Sequence, residues 1–520
     1  MKTPERLEDF LKLCDDCEGA QRAVLDEILA DAAETEIGRR LGLGNMRSAE
    51  EFCRQVPLGG WAEVAPYAER LRKGERDLLF KGAPPYFVCT SGTTGGVKIV
   101  PESPRGKAMK ALTGRLRLEA IARHAPGMAA GKLLPLVNHA VEGYTEAGIP
   151  YGSASGLTLA TASDAIKQRV AFPMAILDID YTDAMDYILM RFAVAEDVRA
   201  VFGNNAGRIA QLVETAEKEA DALLADIEKG TLRGLEALPE NVRAALRKAL
   251  RPAPERARAL REAWRAHGRF LPAAYWPNLE VVACWLSGSV GRYVETLKPL
   301  LASTVRYFDV GYGATEGKFN IPLEPGNPAG PLAIHAAFYE FRPLNGGRTL
   351  MAHEVKAGQS YELVVTTFSG LFRYPMGDIV KVTGFTGTTP DILFEQKAGD
   401  TLNLCGEKVA ASTLMPLVKE AVGEGLVHWH VIPDETQRRY HFRIETADEG
   451  ADAKAIAERL ETLLQERTQI YPIFRTQKLL NPLTVTLMPR GWQEKLYAER
   501  TRKGQSRAQV KLPLVVKSEK

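Results

Sequence analysis

The stretch Phe87–Pro101, FVCTSGTTGGVKIVP, decides how the rest of the chain is read. Its flanks, Tyr86–Cys89 on one side and Val97 with Ile99–Val100 on the other, are apolar and β-favouring, so they read as strands. Between them Thr90–Gly96 contains only threonine, serine and glycine. Glycine is costly to order and has no side chain, so Gly92, Gly95 and Gly96 in one run call for a reason. Without Cβ atoms, backbone N–H groups can converge on one point. Thr90, Ser91, Thr93 and Thr94 add hydroxyl donors, and Lys98 adds a positive charge. Convergent donors beside a cation form a nest for an anion, phosphate above all; a flexible hairpin turn is the plainer alternative. The run is not G-x-x-x-x-G-K-[ST], because Val97 precedes Lys98, Ile99 follows it, and a strand rather than a helix comes next. Nor is it G-x-G-x-x-G, so kinase and dinucleotide-binding readings fail at this site.

Two further constellations carry chemistry. YFDVGYGATEG, residues 307–317, runs a strand into Gly311, Gly313 and Glu316. A strand end followed by glycines is where α/β proteins expose backbone to ligands. There Tyr312 offers a ring for stacking a base, Thr315 a hydroxyl and Glu316 a hard oxygen ligand suited to Mg²⁺. A turn with one solvated glutamate is the alternative. GLFRYPMGDIVKVTGF, residues 370–385, reads as strands with a glycine turn just before Asp378. A carboxylate there can accept both hydroxyls of a ribose, or be an ordinary turn aspartate.

The length of 520 residues suggests several domains, or one large domain with a smaller appendage. A hydrophobic share of 45% and a charged share of 25% fit a globular chain. The net charge of +2, from 67 basic and 65 acidic residues, gives no general attraction to nucleic acid or anionic membrane. The opening residues MKTPERLEDFLKLCDDCEG lack the apolar core of a signal peptide, and no apolar run approaches the roughly 18 residues that span a bilayer. A cytoplasmic location is expected. Cys14 and Cys17 form a C-x-x-C without a second pair, which favours structural cysteines over a metal site. His428 and His430 alternate in LVHWHVIP, which places them on one strand face, expected to lie at the surface.

Residues 1 to about 75 read as helices, with AQRAVLDEILADAAETEIGRRLGLG closing on glycine. Residues 85–200 mix apolar strands with glycine-rich turns such as GIPYGSASGLTLAT. From Ile209, apolar residues recur in steps of three and four through Leu212, Val213, Ala216, Ala220, Leu223, Leu224 and Ile227, the mark of an amphipathic helix. The basic residues of EALPENVRAALRKALRPAPERARALREAWRAHG are interleaved with acids and read as a solvated face. Strands return in LEVVACWLSG, TVRYFDVGYG, YELVVTTFSG and DIVKVTGF. Near the C-terminus LVHWHVIPD and RYHFRIETA pair across ETQR, followed by the helix AKAIAERLETLLQERTQ and the strand PLTVTLMP.

The three motifs, in this order, resemble those of the adenylate-forming superfamily of acyl-CoA ligases, peptide-synthetase adenylation domains and luciferases. The chain is most similar to the bacterial type of the Gretchen Hagen auxin-responsive family of acyl-acid amido synthetases. Thr90–Lys98 matches that family's S-S-G-T-[ST]-x-G-x-x-K, and Tyr312–Glu316 its Y-x-x-[ST]-E. Tyr374–Asp378 matches Y-R-x-G-D, with Pro375 in place of the arginine and Arg373 just upstream. The stretches 56–80 and 275–293 resemble the segments that precede the first two motifs, and SRAQVKLP resembles a C-terminal Q-x-K-x-P. Two departures stand out. Lys397 lies where the family often has a hinge arginine, keeping the charge but losing the planar fork, and Leu514 follows the final proline where many members have arginine.

The resemblance implies an α/β fold. A large adenylate-forming domain, residues 1–396, would combine mixed sheets, flanking helices and a small barrel, with a smaller α+β mobile lid at 397–520. It implies ATP and Mg²⁺, with Glu316 as metal ligand and Lys511 as the catalytic lysine. Thr90, Ser91, Gly92, Thr93, Thr94, Gly95, Lys98, Tyr312, Gly313, Ala314, Thr315, Asp378 and Lys397 would contact the nucleotide. Val137, Asn138, His139, Trp285, Leu286 and Ser289 are expected to wall the acyl pocket. The implied reaction makes an acyl-adenylate from a small carboxylic acid and passes the acyl group to the amine of an amino acid. No nucleic acid or membrane partner is expected, and a monomer is entertained. Two alternatives stay open: transfer to coenzyme A or a carrier protein, and a catalytically silent nucleotide-binding protein.

Overall fold

The computed structural model describes the chain except residues 1–2, 90–98, 138–139, 180–182, 288–292, 399–400, 403, 405–408, 469–470, 477–478, 503–511 and 517–520. The fold is α/β throughout, and the chain divides into two compact units. The larger holds most residues up to Phe394; the smaller takes Gly377–Ile379 and the chain from Glu395 onward.

The larger unit opens with helices. The Cys17–Ala32 helix buries Val24, Leu25, Ile28 and Leu29 and is capped by Asp16, whose carboxylate accepts from the Gly19 N–H at 2.9 Å. The Glu36–Leu41 helix closes on Gly42 at φ +66°, a left-handed cap that suits glycine. Cys14 and Cys17 are buried free thiols, and burial pushes them up to about 12 and about 11. Such thiols are inert packing groups.

A four-stranded parallel sheet runs in the order Lys132–Leu136, Val198–Gly203, Val281–Cys284, Arg306–Asp309. Val281–Cys284 is wholly buried, as a strand covered on both faces must be. The apolar face beginning at Ile209 is carried by two helices, Ala206–Lys218 and Ala220–Lys229, rather than one. The break at Glu219 leaves the stripe intact: Leu212, Val213, Ala216, Ala220, Leu223, Leu224 and Ile227 are all buried.

Tyr86–Cys89 pairs antiparallel with Ile99–Glu102, Cys89 opposite Ile99, so the Thr/Ser/Gly run connects two neighbouring strands. A six-stranded sheet has the order Leu350–Met351, Ala337–Pro343, Ser360–Thr367, Tyr374–Thr386, Thr389–Lys397, Gly330–Pro331. Here the reading of Asp378 is corrected. It lies inside the 13-residue strand Tyr374–Thr386, not after a turn. Gly377 does adopt φ +62°, but one left-handed residue kinks a strand without ending it when sheet neighbours hold both sides.

The smaller unit has Leu426–Asp434 antiparallel to Arg439–Thr446, which runs parallel to Thr484–Leu487. Its core gathers Leu414, Val418, Trp429, Val431, Phe442, Leu460 and Leu464. His428 and His430 share a strand face, but that face is buried rather than at the surface. Trp492 packs on it, with ring centroids 5.2 Å from His428 and 4.8 Å from His430. The covering Trp492–Arg502 helix is anchored by Glu445, whose carboxylate accepts from the Gly491 and Gln493 N–H groups at 2.6 and 2.7 Å. Burial lowers His430 to about 4, helped by Arg443 and His441. Among the described residues no cluster of three or more His, Cys, Asp or Glu is placed to hold a metal, and no helix is long and apolar enough to cross a membrane.

Candidate active site

The parallel strand Arg306–Asp309 ends in the segment 310–320, and the Pro104–His124 helix braces that segment. The helix begins with Pro104 behind Ser103, whose hydroxyl accepts from the Gly106 N–H at 2.8 Å. Lys110, Gly114 and Arg117 recur at helical spacing and share one face. Arg117 is buried and donates to the Tyr312 carbonyl at 3.0 Å and the Asn320 carbonyl at 2.9 Å. The Asn320 side chain accepts from the Tyr312 N–H at 2.8 Å and donates to the Ile392 carbonyl at 2.9 Å. Asp309 accepts from the Gly311 N–H at 2.6 Å and the Leu286 N–H at 2.7 Å. Its burial pushes it up to about 6, against the pull of those two amides and Arg117. Gly311 sits at φ +81°, and a Cβ there would meet the Arg117 guanidinium at 2.4 Å, so both backbone and space demand glycine.

What this bracing presents is Glu316. It lines a cleft with Gly106, Lys110, Lys318 and Ser369. Lys110 donates to the Thr315 carbonyl at 2.7 Å and forms an ion pair with the buried Glu102. Glu102 also accepts from the Ser369 hydroxyl at 2.6 Å. Lys318 reaches over Gly114: a Cβ at position 114 would lie 2.9 Å from its Nζ. Burial first, then the neighbouring Arg117 and Lys110 charges, lower Lys318 to about 7. Tyr312 is buried, its ring stacked on Phe394 at 5.3 Å and tilted against Phe319 at 4.8 Å. Gly313, Ala314 and Thr315 complete the turn, with Gly313 bridged to Lys318.

Of the expected acyl wall, Val137 and Leu286 are partly buried against the core flanking the parallel sheet. The Trp285 N–H donates to the Asn204 carbonyl at 3.1 Å. Asn138, His139 and Ser289 lie outside the described residues, as do Thr90, Ser91, Gly92, Thr93, Thr94, Gly95, Lys98 and Lys511. In the smaller unit, buried Asp378 is ion-paired with the half-exposed Lys397. Arg373, next to the third motif, goes elsewhere. It donates to both carboxylate oxygens of Glu340 at 2.9 and 2.7 Å, to Thr349 at 2.9 Å and to the Val56 carbonyl at 2.6 Å.

Sequence reasoning missed Lys110, Arg117 and Lys318. The signal for Lys318 was its place two residues after Glu316. Lys110 and Arg117 had only a helical spacing shared with many surface residues.

Comparison with known proteins agrees with this architecture. Residues 6–305 match the GH3 family N-terminal domain, 330–397 the GH3 family central domain and 414–520 the GH3 family C-terminal domain. The indole-3-acetic acid-amido synthetase GH3.5 of Arabidopsis thaliana is 27% identical over 462 residues, covering 81% of this chain and 74% of that protein. The 4-substituted benzoates-glutamate ligase GH3.12 of the same plant is 25% identical over 564 residues, covering 99% and 96%. The solved structure of the GH3.15 acyl acid amido synthetase superposes with a TM-score of 0.83 at 21% identity, covering 98% of this chain and 93% of that one. With family domains matched along most of its length, the chain belongs to the GH3 family.

Proposed function

We propose that the protein activates a small carboxylic acid with ATP and then joins it to the amine of an amino acid, releasing pyrophosphate and AMP. The observation that carries this reading is Glu316, set in a cationic cleft at the end of the parallel sheet by a segment braced at Asp309, Arg117 and Asn320. Family membership supports it, as do relatives named as acid–amino acid ligases.

A carboxylate is a poor electrophile, because its charge repels nucleophiles and it lacks a leaving group. Its oxygen attacks the α-phosphorus of ATP, the α–β phosphoanhydride bond breaks, and pyrophosphate leaves the acyl-adenylate. The amine then attacks the acyl carbon, and AMP departs as the C–O bond breaks. Charge accumulates on phosphate oxygens, so donors fixed beforehand are worth most. Thr90–Gly95, Lys98 and Lys511 are proposed for that work, Asp378 and Lys397 for the ribose side, and Tyr312–Thr315 for the nucleotide wall. Glu316 is the proposed Mg²⁺ ligand. A single carboxylate fits an ion that takes most of its remaining ligands from water and substrate phosphates. When bound, the ion neutralises phosphate charge. Val137, Asn138, His139, Trp285, Leu286 and Ser289 are proposed to hold the acyl group. Residues 1–396 are the proposed adenylate-forming domain, and 397–520 the mobile domain that carries Lys511. A cytoplasmic setting is part of the same proposal.

An ATP–pyrophosphate exchange screen over aromatic, indolic and aliphatic acids tests it, followed by AMP release with each amino acid. Exchange with at least one acid and amino-acid-dependent AMP release are expected. AMP release that needs coenzyme A instead would move the protein to a thioester ligase. No exchange with any acid would leave a silent nucleotide-binding protein.

A further inference from the structure

The parallel strands Val281–Cys284 and Arg306–Asp309 are neighbours, with Cys284 opposite Asp309, and both leave the sheet at the same end. Beyond that end each becomes a different part of the proposed site. Cys284 runs into Trp285 and Leu286, on the proposed acyl wall, and Asp309 into Gly311 and Tyr312, on the proposed nucleotide wall. The backbone ladder between them extends to Val310, whose N–H donates to the Cys284 carbonyl at 3.3 Å. Past it the tie is a side chain. Asp309 Oδ2 accepts from the Leu286 N–H at 2.7 Å, and Oδ1 from the Gly311 N–H at 2.6 Å. One carboxylate, 4% exposed, thus holds one amide from each exit segment.

Burying a carboxylate is unfavourable unless its oxygens are paired. Here both are, and bonds from two N–H groups to a charged acceptor are the strong kind. Two oxygens on one planar carbon also fix how far apart the two amides lie. The buried Arg117 guanidinium offsets part of the charge and is itself held by the Tyr312 and Asn320 carbonyls. Adenylation asks for such a spacer. A carboxylate oxygen of the acid must come within about 3–3.5 Å of the α-phosphorus, and a misplacement of about 1 Å costs about 10²-fold in rate. Resting on the amide-ligase reading above, we infer that Asp309 is a positioning residue that sets the distance between bound acid and bound ATP, and so serves adenylation rather than aminolysis. Both of its oxygens are taken by backbone amides, so it acts through the two segments and breaks no bond itself. Its task ends when pyrophosphate leaves, because the new bond between the acyl oxygen and phosphorus then holds the acyl group to AMP.

The test separates the two half-reactions in the full chain. Adenylation is read by ATP–pyrophosphate exchange with the acid that the screen above selects. Aminolysis is read by amide formation from the chemically synthesised adenylate of that acid and an amino acid, without ATP. Asp309→Asn keeps the shape but turns an NH₂ group toward one of the two amides, so one tie is lost. The maximal exchange rate should fall by about 10²-fold, the KM values for acid and ATP should move little, and amide formation from the added adenylate should stay near the wild-type rate. Asp309→Glu keeps the charge and both acceptors on a stem one methylene longer. It should show the same split with a smaller loss, and it carries the test if Asp309→Asn does not fold. Equal losses in the two half-reactions overturn the inference, because Asp309 would then be a general tie of the fold. A loss carried by the KM of the acid or of ATP alone also overturns it, because Asp309 would then shape one subsite and not the spacing of two. Exchange at the wild-type rate in both variants overturns it as well. No exchange in the wild-type protein with any acid is the distinct failure of the amide-ligase reading, and the inference falls with it.

Discussion

Arg373 is buried and Lys318 partly buried in the larger unit, and their surroundings are opposite. Arg373 is at φ +45°, an uncommon backbone for arginine, yet its guanidinium meets both Glu340 oxygens, the Thr349 hydroxyl and the Val56 carbonyl. Lys318 is flanked by Lys110 and Arg117 and meets no counter-charge among the described residues. The planar fork of arginine suits a fixed, multiply bonded structural site. The contrast teaches that a cation beside a motif is not thereby part of the site: Arg373 adjoins the third motif and is a tie within the fold.

The largest effect expected is at Glu316. Glu316→Gln keeps the shape and removes the charge, so adenylation should fall by about 10³-fold or more while the unfolding midpoint barely moves, as loss of a metal carboxylate implies. Pyrophosphate exchange at saturating Mg²⁺ reads it, and a wild-type rate would place Glu316 with the structural residues. Glu340→Ala should do the reverse. It strands Arg373 in the interior, and breaking a buried pair costs about 3–5 kcal/mol, to be seen in urea unfolding. A smaller loss would mean that the carbonyls alone hold Arg373.

His430 sharpens the comparison with a group that stays neutral. Its Nε2 is buried without a partner, and its folded value of about 4 lies below the ordinary 6.5. Between those values the unfolded chain binds the proton and the folded chain does not. The contribution is thus complete above about pH 6.5 and is lost as pH falls toward 4. That difference amounts to about 3–4 kcal/mol at most, at about 1.4 kcal/mol per pKa unit. His430→Leu should therefore lose less stability than wild type between pH 7 and pH 4.5. Equal losses would assign the acid sensitivity to other groups, buried His335 first. The smallest effect is Lys318→Met. Replacing an uncompensated cation with an apolar side chain should raise stability by about 1 kcal/mol, in the direction seen when buried charges are replaced by hydrophobes. A drop of similar size would show that the ammonium already has a partner.

Much was legible from the sequence. Local pattern fixed the strands on either side of the Thr/Ser/Gly run, the apolar stripe from Ile209 and the sheet-plus-helix unit after residue 410, because each is a periodicity within one segment. Three ordered motifs pointed to the family. Besides the break at Glu219, two errors in local structure share a cause. Gly377 was read as a turn and the 428–430 face as solvent-facing, but sheet neighbours keep the strand running and Trp492, more than sixty positions on, closes the face. The sequence by itself determined which chemical groups the chain carries and in what order, because a motif is a matter of residue type and spacing. Only the tertiary structure decided which of those groups are already satisfied. Arg373 finds Glu340 thirty-three positions away, while Arg117 and Lys110 brace a segment some two hundred positions further along. Charge balance is a sum over neighbours in space, and a linear sequence does not show who those neighbours are.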